Sequence, residues 1–285
     1  MPKATFERLP SPLNGHLTTL DSHNARIKIF GESVDVVAQP EAQEVLQRQF
    51  DKNDAYSKLT VYAPDDDARW ESLGFRREGR IKGFFQDGSD SYIWSRFSDH
   101  LRAVPSNPEA EDQALRIALG KQRVERPAIP EGFALRFAQP EDAEAISELL
   151  QATFSDYPSD LSPESIRPMI ARQRSVFRLV EQKGELAALA SAEIDLGRRN
   201  AEITDCTTVE AVRGRGLMVA IIQDLVRYVS RGYKITDFYT LARAEEIGIN
   251  AAFAKAGFTH DGQLVNNCRM PSGWETMNVW WQVAD

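Results

Sequence analysis

Apolar and polar positions change period repeatedly along the second half of the chain. "FALRF" (133–137) predicts a short strand, and Pro140 turns the chain into a helix carrying Ala143, Ile146, Leu149 and Leu150 on one face. "VFRLVEQKGELAALASAEID" (176–195) predicts a hairpin turning near Lys183-Gly184, and "NAEITDCTTV" (200–209) a strand rich in β-branched residues. From Leu217 to about Ser230 the spacing is that of an amphipathic helix, with Gln223, Arg227 and Arg231 on its wet face and Gly232 as its stop. "KITDFYTLA" (234–242) predicts another strand, a short helix ends at Gly257, and strands around "GQLVNN" and "TMNVWW" follow. Mixed strands around a central strand–loop–helix predict an α/β fold with an open sheet.

Residues 104–130 have the pattern of a connector. Asn107 ahead of Pro108 is a helix start and Gly120 a stop, with Ala114, Leu115, Ala118 and Leu119 forming one apolar stripe between them. Pro127 and Pro130 close the segment. The expected organisation is therefore a first domain over 1–103, a linker with a short helix over 104–130, and a second domain over 131–285. The two domains share a repeat. "KLTVYAPDDDARWESLGFRREGRI" (58–81) echoes "KITDFYTLARAEEIGINAAFAKAGFTHDGQL" (234–264), through Lys-[Leu/Ile]-Thr and Gly-Phe-x-x-[Asp/Glu]-Gly-x-[Ile/Leu]. The matched Gly-Phe block favours duplication over coincidence.

Composition narrows the chemistry. The chain has 285 residues, 42% hydrophobic and 27% charged, which is the balance of a globular protein. A net charge of −8 argues against a general nucleic-acid binder, which needs a cationic surface to neutralise phosphates. Cys206 and Cys268 are the only cysteines, so no disulfide framework and no Cys-x-x-Cys pair exists. The histidines, His16, His23, His100 and His260, stand singly, and no metal is expected. No apolar run reaches membrane-spanning length. A cytoplasmic protein without membrane or nucleic-acid partners is expected.

The stretch "EAVRGRGLM" (210–218) is the candidate for chemistry. A strand, the loop Arg213-Gly214-Arg215-Gly216 and a helix bring free backbone N–H groups and the helix dipole to one point, which is an anion site if glycine lets the backbone approach. A plain tight turn would need only one glycine. A dinucleotide fingerprint fits poorly, because Val219 stands at the third glycine position and the preceding strand is polar.

At this point the residues resemble a known family. "RGRGLM" is similar to the R-x-x-G-x-G/A loop with which GNAT acyltransferases bind the pyrophosphate of coenzyme A. "NAAFAKAGF" (250–258) is similar to their second block. "SAEID", "AEITDCTT", "VRGRGL", "YTLARA", "GINAAFAKAGF", "GQLVNNCRM" and "ETMNVWW" extend the resemblance to the β-lysine N-acetyltransferase subfamily, densely over 131–285 and more loosely before it. The resemblance implies a GNAT mixed sheet with flanking helices, preceded by a smaller degenerate GNAT-like half domain without the phosphate loop. It implies acetyl-CoA as co-substrate, bound by Arg213, Gly214, Arg215, Gly216, Leu217, Met218 and Val219 with Asn250 and Phe253. The acceptor it implies is the cationic amine β-lysine, supplied by a lysine 2,3-aminomutase and acetylated on its 6-amino group. Homodimer assembly is open. Two departures stand out: Met218 replaces the usual Gly or Ala, and Phe253 occupies the position where many members carry a proton-donating Tyr.

An ammonium with a pKa of roughly 10.4 must lose a proton before it attacks a thioester. On the strand that supplies the base in related enzymes, Glu202 is the first candidate and Asp205 the second. Asp205 would face away from Glu202 in a regular strand, and a β-bulge would bring it round. Either Tyr239 is the acid in place of Phe253, or the coenzyme thiol, with a pKa of about 8.5, leaves as thiolate. Glu193 and Asp205 suit the distal amino group. Arg243, Asn266 and Asn267 suit the carboxylate, although paired Asn also occur in turns. Tyr157 lies in "FSDYPSD", which resembles a loop that covers acceptors. Alternative readings are a GNAT enzyme of another small polyamine or of lysine, and an acetyl-CoA-binding sensor without turnover.

Overall fold

Alternation along residues 26–30 and 58–63 sends Ile27, Ile29, Leu59 and Val61 to one buried face and leaves Arg26 and Lys58 on the other. This is the centre of the first of two units seen in the computed structural model, which describes residues 5–13, 18–51, 56–125, 127–154, 160–271 and 273–284. The first unit begins with β1 (Thr5–Glu7), β2 (Thr18–Asp21), β3 (Arg26–Phe30), α1 (Val34–Val37) and α2 (Pro40–Phe50). It continues with β4 (Lys58–Ala63), α3 (Arg69–Ser72), β5 (Arg76–Ile81) and β6 (Ser91–Phe97). Strands β2 and β3 are antiparallel, β3 and β4 parallel, and β6 pairs antiparallel with both β4 and β5. Leu46 and Phe50 of α2 pack with Trp70 and Trp94 on the apolar face.

The second unit contains α4 (Pro108–Leu119), β7 (Phe133–Phe137), α5 (Ala143–Thr153), α6 (Pro163–Ala171), β8 (Ser175–Gln182), β9 (Glu185–Asp195) and β10 (Asn200–Thr208). After these come α7 (Leu217–Tyr233), β11 (Asp237–Arg243) and α8 (Ile247–Ala256). Its strands run β11-β10-β9-β8-β7. The β8–β9 turn has positive φ at both Lys183 and Gly184, the backbone that a two-residue hairpin prefers. One sheet face meets α7 through Ala188, Ala190, Ala192, Ala201, Ile203 and Phe238. The other meets α5 and α6 through Phe177, Leu179 and Leu189.

Two details of α7 differ from expectation. The helix runs through Gly232 to Tyr233, and Lys234 at φ 59 takes the left-handed cap. Gln223 is half-buried because its Nε2 donates to the Val124 carbonyl at 2.6 Å, tying the connector to the helix.

The chain closes with β12 (Thr259–Met270) and β13 (Gly273–Val283). The first unit takes in Met1–Pro108 and Asp261–Val279, the second Glu109–His260 and Trp280–Asp285. The passage between units thus falls at Pro108, inside the expected connector, whereas 261–279 groups with the first unit rather than with the domain drawn over 131–285. The cause is the pairing of β12 with β5, anchored by side chains of the first unit. Lys58, wholly buried, donates to the Val265 carbonyl at 2.9 Å and pairs with Glu78 at 2.7 Å. Glu78 in turn accepts from the Val265 amide. Arg26 reaches the Asn267 carbonyl at 3.1 Å. Along the chain, β2–β3–helix–β4–α3–β5–β6 and β9–β10–helix–β11–α8–β12–β13 follow the same order. The parallel step falls at β3–β4 in the first and at β10–β11 in the second.

Candidate active site

Glu193, Glu202 and Tyr239 form one row across three strands. Glu202 is the register partner of Glu193 on β9 and of Tyr239 on β11. Their neighbours Ala192, Ala201, Ile203 and Phe238 point into the α7 core, so strict alternation puts the row on the opposite face. Glu202 and Tyr239 are half-buried and Glu193 is exposed.

The row sits where two strands part. β10 and β11 are paired only from Asn200–Asp237 to Glu202–Tyr239. Beyond Glu202, β10 continues through Thr208 toward the glycine loop without β11 beside it. A splayed parallel pair exposes backbone N–H and C=O groups that a ligand can bridge. No sequence signal announced this gap.

Between Thr204 and Thr207 the β9–β10 register slips, and Asp205 there has φ 54. Cys206 consequently packs toward the α7 core, while Asp205 turns to the face of Ser191 and accepts a hydrogen bond from its Oγ at 2.6 Å. The bulge therefore brings Asp205 to the side that carries Glu202. Burial, reinforced by the Asp205 charge, pushes the Cys206 thiol far above its ordinary range, which makes it inert. Farther along the strand, the Thr207 hydroxyl meets that of Thr153 at 2.5 Å, linking β10 to the end of α5.

Gly214 and Gly216 have φ of 78 and 79, and Gly216 is the N-cap of α7. No side chain caps that end. Since the first turn of a helix lacks internal acceptors, the N–H groups of Leu217, Met218 and Val219 are offered outward with the positive end of the dipole. A Cβ on either glycine would meet nothing within 4 Å, so the space before the loop is open. These features fit a pyrophosphate. Leu217 and Val219 are buried, and Met218 packs against the core, so each can offer a ligand only its backbone. The arginines are partly committed: Arg213 Nε donates to the Thr208 carbonyl at 3.1 Å, and Arg215 lies 5.9 Å from the Phe133 ring centroid.

Other expected residues are placed differently. Asn250 is wholly buried; its Nδ2 donates to the carbonyls of Arg243 and Glu246, and its Oδ1 accepts from Trp280 Nε1. These bonds make it a structural strut. Phe253, 1% exposed, stacks edge-on against Phe258 in the core. Asn266 is buried in the first unit, where its Nδ2 donates to the carbonyls of Arg102 and Val104 and its Oδ1 accepts from Ser106. Asn267 is buried beside it, with its carbonyl held by Arg26. Their burial and these bonds give both asparagines a framework role in the first unit. Arg243 is on the face of Tyr239, at the end of β11, and pairs with Glu246 at 3.4 Å. Tyr157 lies outside the described residues. A concavity of about 410 Å³ lined by Phe137, Arg178, Asp224, Arg227 and Tyr228 is on the α7 side, away from the row. Among the described residues, no cluster of His, Cys, Asp and Glu is arranged to hold a metal, and no helix is long and apolar enough to cross a membrane.

The model of the acetyltransferase (GNAT) family matches residues 143–258, a span that includes Glu202, the splay and the glycine loop. The chain is 36% identical over 246 residues to the β-lysine N(6)-acetyltransferase of Methanosarcina mazei, covering 78% of this chain and 90% of that protein. It is 29% identical to the N-acetyltransferase YodP of Bacillus subtilis, covering 80% and 83%. Against the β-lysine N(6)-acetyltransferase of Methanococcus maripaludis the identity is 25%, over 76% and 78%.

Proposed function

Because the chain belongs to the GNAT acetyltransferase family, we propose that it transfers the acetyl group of acetyl-CoA to the 6-amino group of β-lysine. The observation that carries this reading is the carboxylate row, Glu193 and Glu202 in register beside Tyr239, at the point where β10 and β11 part. A cationic amine needs acidic groups for binding and one of them as a base. The kinship with two proteins named for β-lysine supports the choice of acceptor.

Acetyl-CoA supplies a thioester carbonyl open to attack by a neutral amine. The N–H groups of Leu217, Met218 and Val219, with Gly214 and Gly216 allowing close approach, hold its pyrophosphate. Glu202, half-buried beside the splay, accepts the proton of the 6-ammonium, directly or through a water. Tyr239, its neighbour in register, is the proton donor to the departing sulfur. Glu193 and Asp205 attract the second ammonium, and Arg243 receives the carboxylate. The amine supplied to this enzyme must come from a reaction that moves the α-amino group of lysine to the β-carbon.

The first unit is read as a degenerate copy that binds no coenzyme A. Its β3–β4 connection, "GESVDVVAQPEAQ", has no paired glycines before a helix. Titration calorimetry should then find one acetyl-CoA per chain; two would overturn this part.

The decisive test is an acceptor screen with acetyl-CoA and β-lysine, lysine, ornithine and spermidine. β-Lysine should have the highest kcat/KM, with mass spectrometry locating acetyl on N6. Spermidine, which lacks the carboxylate, should be poor. A preference for spermidine or lysine would overturn the choice of acceptor, and binding of acetyl-CoA without any product would overturn the enzymatic reading.

A further inference from the structure

Glu202 and Asp205 share a face, yet the structure gives them different surroundings. Glu202 belongs to the regular ladder and is half-buried. Asp205 sits in the bulge, 8% exposed, with its Oδ2 2.6 Å from the Oγ of Ser191. Ser191 is itself wholly buried and lies opposite Thr204, so its hydroxyl is directed at the bulge by two paired strands.

A hydroxyl donating to a carboxylate at this distance is a charge-assisted hydrogen bond, and it fixes where the carboxylate oxygen points. A buried carboxylate held by a buried donor suits a fixed contact with a substrate cation, whereas a base must pass its proton to solvent, which the half-buried Glu202 is better placed to do. The left-handed backbone at Asp205 has the same consequence. It turns the side chain out of the α7 core, and the serine then limits its rotamers.

We propose that Ser191 is a specificity-determining positioning residue, holding Asp205 as a fixed anionic anchor for the second ammonium of a diamino-acid acceptor while Glu202 deprotonates the first. This inference rests on the acceptor reading above. The seryl hydroxyl touches the anchor and not the substrate. Its loss therefore loosens the grip on acceptors that carry the second amine, and leaves monoamines alone. The chemical step at Glu202 is unaffected.

The experiment compares β-lysine with 6-aminohexanoate, which keeps the reacting amine and the carboxylate but lacks the 3-amino group. Wild-type turnover of β-lysine is measured first; its absence overturns the acceptor reading and this inference together. Given that turnover, Ser191→Ala should raise the KM for β-lysine by about tenfold, the scale of one lost charge-assisted hydrogen bond. Its kcat, its acetyl-CoA Kd and its KM for 6-aminohexanoate should stay near wild type. Ser191→Thr, which keeps the hydroxyl, should restore the KM for β-lysine, and Asp205→Asn should raise that KM at least as far as Ser191→Ala does. An equal rise in KM for both acceptors marks a merely structural serine. That result, or an unchanged KM for β-lysine, overturns the proposal while leaving the enzymatic reading intact.

Discussion

Gly79 and Gly262 are register partners across the β5–β12 pair, and they are the equivalent glycines of the two repeated Gly-Phe-x-x-acid-Gly blocks. A Cβ on Gly79 would stand 2.9 Å from the Asp261 carbonyl oxygen and 3.2 Å from Val279. One on Gly262, at φ 135, would overlap the Glu78 carbonyl and the Gly79 Cα. The repeat thus meets itself at the position where neither copy has a side chain.

Gly262→Ala should cost more than about 2 kcal/mol, because backbone must move on both strands and the φ is unfavourable for alanine. Gly232→Ala is the control. Gly232 lies in α7, with nothing within 4 Å of a Cβ and no positive φ, so alanine there should stabilise by about 0.4–1 kcal/mol. Urea unfolding of both variants checks the pair; equal midpoints would contradict the packing argument.

The Lys58–Glu78 pair that anchors β12 should show itself in pH dependence. Burial pushes the Lys58 ammonium down to about 8, against the opposing pull of Glu78. Between about 8 and the ordinary 10.5 the unfolded chain therefore binds this proton more than the folded chain does. The contribution of Lys58 to stability rises with pH across that window and is flat below it. Wild type should gain on Lys58→Met in denaturant midpoint as pH is raised from about 7 to about 10. A constant gap would show that Lys58 keeps an ordinary pKa.

Below that window the same variant reports on the pair itself. Lys58→Met leaves Glu78 with the Val265 amide and Arg76, and removal of one partner from a buried pair costs roughly 3–5 kcal/mol. Adding Glu78→Gln should recover much of that loss. Thermal denaturation of the single and double variants reads the recovery, and strictly additive losses would argue against coupling.

Glu202→Gln keeps size and hydrogen bonding but cannot accept a proton. Its kcat at neutral pH should fall by about 10²–10⁴, with acetyl-CoA affinity nearly unchanged. Higher pH should partly rescue it, as free amine becomes available without help. A pH–rate profile like that of wild type would remove Glu202 from the role of base.

Gly216→Val places a β-branched residue at φ 79 and a side chain in the open space before the α7 amides. The acetyl-CoA Kd should rise by at least about tenfold, while far-UV circular dichroism stays that of the folded protein. Arg213→Ala should do less, since its Nε is already directed to the Thr208 carbonyl. Unchanged coenzyme affinity in folded Gly216→Val would remove the loop from the binding site.

What local sequence decides here is whatever depends on neighbours along the chain. Period-two and helical spacing placed β8 to β11 and α7, the Lys183-Gly184 turn followed from the glycine, and two glycines before an apolar run marked the loop. The row of Glu193, Glu202 and Tyr239 was legible residue by residue but not as a row, because register belongs to strand pairing. Asn250, Phe253, Asn266 and Asn267 carried the right chemistry for ligand contact. Only packing showed that their side chains are enclosed, since burial is set by elements remote in sequence. The same holds for the transfer of 261–279 to the first unit, which depends on Lys58, Arg26 and Glu78 binding a backbone some two hundred residues away. The bulge at Asp205 stands between these cases. The strand allowed it, but the Ser191 hydroxyl and the pairing of β9 with β10 decide where the carboxylate points, because a side chain in a bulge takes its direction from its neighbouring strand.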